Sequence, residues 1–202
     1  MKGFWIFAMV LFGSCRAIKT TSIFTESVYF GPLSKTCSEI IQWENTLQSV
    51  DVSYSYPVSI GESLYPNQPG YRLTNKKRFR RPAGDNRLEY TIEYYTSPDD
   101  SIRVVLYEWN MPAVGPGGIN RGDPGYDKPV QNAFAKQFSE VRNEITRTVG
   151  NPSQINVDPG YANVTWRDDC KWLSPEKPKV YLLMFKRDKN LYRQIRLVVY
   201  LK

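Results

Sequence analysis

The sequence predicts an α+β fold in which an antiparallel sheet packs against one or two helices. Three observations carry that prediction. Apolar residues alternate with polar ones around 88–95, 102–109 and 191–201, the period of half-buried strands. Two stretches, 34–50 and 131–149, instead repeat at three and four residues, the period of one helical face. The strands are grouped and do not alternate with helices, so nothing calls for a parallel sheet.

Taken in order, Thr36 and Glu39 have capping-box spacing at the start of the first helix. Ile40, Trp43, Leu47 and Val50 then form its apolar stripe. Pro57, Pro66 and Pro69 break the next stretch into short extended pieces and turns. Leu88, Tyr90, Ile92 and Tyr94 define one strand face, opposite Glu89, Thr91, Glu93 and Tyr95, which reads as a solvated face. Residues 96–100 are turn chemistry, and Ile102, Val104 and Leu106 share a face of the return strand. Matching the two apolar faces sets residue 94 near 102.

Residues 110–129 are rich in Gly and Pro and read as a long loop. Gln131–Val149 is the strongest helix, with Phe134, Phe138, Val141 and Ile145 on one side and Gly150 as its stop. A short strand at 161–166, a turn at Asp168-Asp169 and a closing hairpin at 179–186 and 191–201 complete the chain. Helix-then-strands occurs twice, without a convincing sequence repeat.

The N-terminus carries Lys2, then nine mostly apolar residues from Phe4 to Phe12, then Gly13, Ser14 and Cys15. That is the layout of an export signal, and it is far shorter than the roughly 20 residues that span a bilayer. Phe12-Gly13-Ser14-Cys15 resembles the lipobox of bacterial lipoproteins. The resemblance covers the signal alone. It implies that Cys15 is acylated, becomes the mature N-terminus and anchors the chain to a membrane of the cell envelope. Cys15-Arg16-Ala17 also fits ordinary cleavage after Ala17, which would give a soluble secreted or periplasmic protein. The expected organisation is a signal over 1–15, a polar tether over 16–33 and one domain over 34–202. In an oxidising compartment the two remaining cysteines, Cys37 and Cys170, are expected to pair, closing a loop worth about 5 kcal/mol by chain entropy.

The chain of 202 residues has a formal charge of +7. The excess is concentrated at 72–87, above all in Lys76, Lys77, Arg78, Arg80 and Arg81. For an exported protein this run suggests contact with anionic lipid or polysaccharide and not with nucleic acid. Tyr65, Tyr71 and Phe79 nearby could stack on sugar rings or belong to the core.

The complete absence of histidine excludes Ser-His-Asp and Cys-His catalysis and every His-containing zinc site. No cofactor or metal is implied. Ser174-Pro175-Glu176-Lys177 has the bare Ser-x-x-Lys spacing of penicillin-recognising enzymes, without their other elements. Glu89 and Glu93 share a strand face, as a carboxylate-dependent hydrolase would require. Arg121-Gly122-Asp123 lies in the long loop, where it could serve an interaction protein, and Asn163-Val164-Thr165 is a glycosylation sequon relevant only in a eukaryotic pathway. The resulting expectation is a non-catalytic envelope lipoprotein. The alternatives are a secreted hydrolase and a loop-mediated interaction protein.

Overall fold

The computed structural model describes residues 27–54, 73, 75–112, 124–156, 165–187 and 192–201. The strands are β1 (Val50–Asp51), β2 (Asn75–Arg81), β3 (Glu89–Thr96), β4 (Ile102–Asn110), β5 (Gln154–Asn156), β6 (Thr165–Trp172), β7 (Lys179–Arg187) and β8 (Tyr192–Tyr200). They form a single antiparallel sheet ordered β1-β2-β3-β4-β8-β7-β6-β5. Helix α1 (Cys37–Thr46) buries its Ile40, with Trp43 partly covered, and helix α2 (Pro124–Val149) its apolar stripe, in one core against the same sheet face; Leu47 and Val50 of the expected α1 stripe are exposed. The α+β architecture is as the residue pattern predicts.

The element order repeats. Among the described residues, one helix and four strands are followed by one helix and four strands, and the two halves meet where β4 pairs with β8. The sheet order is therefore palindromic about that central pair.

The capping box forms as read: Glu39 N–H donates to Thr36 Oγ1 at 3.3 Å, and Thr36 N–H donates to Glu39 Oε2 at 2.7 Å. The helix is shorter than 34–50, however. Gln48 takes a positive φ of 55°, which turns the chain out, and Val50 enters β1. Upstream, the expected tether over 16–33 is too long. Phe30 and Leu33 are buried around a short 3-10 turn at Gly31–Ser34, and the Tyr107 hydroxyl lies 3.1 Å from the carbonyl oxygens of both Val28 and Tyr29.

Helix α2 starts before the expected loop has ended, at Pro124, and contains Pro129. A proline inside a helix removes one backbone bond. Here Val130 and Ala133 extend the buried stripe of Phe134, Phe138, Val141 and Ile145. At its other end Gly150 has φ +94°, and its carbonyl accepts from Trp172 Nε1 at 2.9 Å. Of the expected short strand at 161–166, residues 161–164 lie outside the described residues; β6 covers Thr165–Trp172. Asp168-Asp169 is strand and not a turn.

The β3–β4 register differs from expectation. Tyr94 pairs with Val105, and a bulge between Tyr95 and Thr96 brings Thr96 to Ile102. The bulge separates Ile102, in the helix-side core, from Val104 and Leu106 on the opposite face. Val105, Tyr107 and Trp109 take the helix side. Both faces of β4 are apolar, so alternation could not fix its phase. The turn itself is closed by Asp99, whose carboxylate accepts from Ser97, from Ser101 N–H at 3.3 Å and from Arg103 Nη2 at 3.0 Å. These bonds, led by Ser97, hold its pKa down at about 2.

A Cβ at Gly150 would meet only Lys177 Nζ, at 4.0 Å, so the obstacle to a side chain there is backbone conformation and not space. Gly150→Ala is expected to lower unfolding free energy by about 1–2 kcal/mol. The urea midpoint should fall at unchanged slope.

Candidate functional site

The basic run forms strand β2, and a strand sends alternate side chains to opposite faces. Phe79 and Arg81 therefore join the helix-side core, while Arg78 and Arg80 meet partners on the other face. The run is not one continuous patch. The side chain of Lys76 lies outside the described residues.

Carboxylates compensate each described charge in the run. Lys77 Nζ is 3.5 Å from Asp51 Oδ2, and Arg80 Nη1 is 3.8 Å from Glu89 Oε1, both loose and half-exposed pairs. Arg81 is different. Its guanidinium donates twice to Glu44 of α1, at 2.9 and 2.6 Å, and once to the Tyr94 hydroxyl at 3.1 Å. Tyr94 and Ser49 both donate to Glu44, and Trp43 stacks on Arg81 at 4.8 Å. Glu44 is fully buried, and burial pushes the Tyr94 phenol well up, so the phenol keeps its proton for that bond. Arg81 is thus a helix–sheet clasp and does not face a ligand.

On the opposite face, Arg78 reaches two buried carboxylates on neighbouring strands: Glu93 Oε1 at 3.3 Å from Nε, and Glu108 Oε2 at 3.6 Å from Nη2. Glu108 also accepts from Arg196 Nε at 2.6 Å, and Glu93 accepts from the Tyr95 hydroxyl at 2.5 Å. Gln194 Nε2 donates to Asn110 Oδ1 at 2.6 Å. The expected solvated face of β3 is thus buried at Thr91, Glu93 and Tyr95. Glu89, which is expected to work with Glu93, pairs with Arg80 at the margin instead. Glu108 and Arg196, unremarked in the sequence, complete this network. Their signal is a polar residue inside an otherwise apolar strand.

Beside the network lies a second apolar cluster made by Tyr95, Val104, Leu106, Tyr181, Leu183, Val198 and Tyr200. At the outer margin, Tyr54 is 44% exposed, with the Arg78 guanidinium 5.3 Å from its ring centre, and Arg80 lies further along the same face, level with Val50.

The Cys37–Cys170 disulfide does not form; both thiols are free. Cys37 opens α1 beside the β3–β4 turn, where its N–H donates to Asp100 O at 3.2 Å. Cys170 is buried on β6, three strands away from β4. Three strand spacings are about 14 Å, twice the reach of a disulfide. Burial raises the pKa of both thiols.

Lys177 of the Ser-x-x-Lys motif donates to Val149 O at 2.8 Å, closing the end of α2. That is a capping role. Cys15, Tyr65, Tyr71, Asn163 and Arg121-Gly122-Asp123 lie outside the described residues. Among the described residues, no group of three or more Cys, Asp or Glu is placed to hold a metal ion, and no helix is long and apolar enough to cross a membrane. No family model, curated protein or solved structure matches the chain.

Glu44→Ala leaves the Arg81 charge buried without its carboxylate and is expected to cost about 3–5 kcal/mol. Replacing the pair together, Glu44→Leu with Arg81→Met, should recover most of that loss. Urea denaturation of the three variants reads both effects.

Proposed function

We propose that this protein is an exported cell-envelope lipoprotein, anchored through Cys15, whose folded domain binds an anionic surface or polysaccharide without catalysing a reaction. The anchor rests on the lipobox-like Phe12-Gly13-Ser14-Cys15 behind its apolar run. The binding role rests on one observation: an exposed tyrosine and a half-exposed arginine, Tyr54 and Arg80, share a sheet face at the margin of the charge network.

The chemistry follows from how each cation is held. Arg80 keeps its carboxylate at 3.8 Å in a water-exposed pair, which contributes little and exchanges easily. A ligand carboxylate, sulfate or phosphate can replace that partner. Arg78 and Arg81, more deeply set, would hold the strand in place. A tyrosine ring offers a platform for a sugar. The hydrolase reading is weaker, because the oxygens of Glu93 and Glu108 are taken up by Arg78, Arg196 and Tyr95.

Cys15→Ser is expected to move the native protein from the membrane fraction into the soluble fraction of its export compartment; persistent membrane association would refute lipidation. Charge reversal on that face, Arg80→Glu, should weaken binding to anionic vesicles or to an acidic polysaccharide at least tenfold, from roughly 1 kcal/mol per unit of charge. The folded state should be retained. Unchanged affinity would exclude this surface.

A further inference from the structure

The two ends of the sheet are finished differently. At the β1 end Val50 is 56% exposed, but the rim also carries charge and is tied down by side-chain bonds. Asp51 pairs with Lys77, Ser53 N–H donates to Asp51 at 2.8 Å, and Ser53 Oγ accepts from Arg78 N–H at 2.9 Å. Edge strands are commonly protected in this way against pairing with another chain. At the other end β5 is Gln154-Ile155-Asn156, and the run Asn151–Asn156 leading through it holds no charged residue. All three strand residues are exposed, and Ile155, at 61%, is the most exposed large hydrophobic side chain among the described residues. Among the described residues β5 pairs only with β6.

We propose that this edge pairs with a second copy of the same chain, β5 against β5, antiparallel about a two-fold axis at Ile155. The strand suits self-pairing. An axis at Ile155 sets the two isoleucines opposite each other and sets Gln154 of one copy against Asn156 of the other. The apolar side chain then meets an apolar one, and amides meet amides.

The next strand inward adds a pattern of charge. Gln154 is level with Lys171 and Asn156 with Asp169. Across the two-fold, each amide pair is therefore flanked by Lys171 of one copy and Asp169 of the other. Opposite signs share every charged row, and like signs never do. The charges stand about three strand spacings apart, roughly 14 Å, so they steer approach and favour the antiparallel register more than they add affinity. Three residues a side make an interface well below the ~1,200 Å² of a stable complex. Association is therefore weak, with a dissociation constant on the order of 0.1–1 mM. This inference does not depend on the binding reading above.

Sedimentation of the full soluble chain, carrying Cys15→Ser, at concentrations up to about 1 mM tests the pairing. Wild-type β5 should give a concentration-dependent dimer. Ile155→Lys, which puts two like charges at the axis, should weaken it at least tenfold with an unchanged circular dichroism spectrum. A second measurement covers a misfolded variant. In a Cys15→Ser, Cys37→Ser, Cys170→Ala background, which removes the thiol level with residue 155 on β6, Ile155→Cys should cross-link into disulfide dimers at least tenfold faster than Ser139→Cys, a control on exposed α2. A protein that stays monomeric, a dimer insensitive to Ile155→Lys, or equal cross-linking at the two positions would each overturn the pairing.

Discussion

The buried clasp between Glu44 and Arg81 is what joins the first helix to its sheet. Helix α1 is only ten residues long, too short to be stable by itself in water. It places few apolar side chains in the core, with Ile40 the one that is fully buried. A bidentate guanidinium–carboxylate pair, with Tyr94 and Ser49 supplying further bonds to the same carboxylate, compensates for that small contact area. Directionality is the gain. Apolar contacts alone would leave a short helix free to slide along the strands, whereas two parallel bonds fix its position over β2 and β3. The pair is satisfied on nearly every side, and that is the condition under which burying two charges is tolerable.

The same accounting explains the basic strand. A run of six residues with five cations would repel itself if all the side chains faced one way. The pleat divides them between two faces, and each face supplies carboxylates from neighbouring strands. Glu44 comes from a helix, Glu89 and Glu93 from β3, Glu108 from β4 and Asp51 from β1. What reads in one dimension as an unbalanced charge cluster is, in three, a set of cross-strand pairs. Among its described members, Lys77 and Arg80 keep the most exposure.

Elements whose pattern is local were legible in the residues. The capping box at Thr36, the stripe of α2 with its glycine stop, and the closing hairpin each depend on neighbours in sequence, and each stands where it was read. The failures share a cause. Strands β4 and β8 are apolar on both faces, because the sheet buries a second cluster opposite the helices. Alternation then carries no phase, and the β3–β4 register had to be set by the Tyr95 bulge instead. Pairings distant in sequence are not named by a local pattern: Glu108 and Arg196 show only as polar residues inside apolar strands, and nothing near either residue ties Arg81 to Glu44. The cysteines misled for the same reason: an even count says nothing about how many strands lie between the two thiols.

The palindromic sheet order ties these points together. Among the described residues each half brings one helix and four strands, and each half's fourth strand is central, so β4 and β8 are shielded by neighbours on both sides and carry both cores. The first strand of each half is outermost and very short, two residues in β1 and three in β5. Short rims limit what the sheet can recruit, but they do not close it. The two rims differ in chemistry because only the first half carries the basic strand. Its charges need carboxylates and side-chain tethers right up to the edge, and these leave the β1 end dressed with polar groups. In the second half the charged residues Lys171 and Asp169 stand one strand inward on β6, and the rim strand itself is uncharged with an exposed isoleucine.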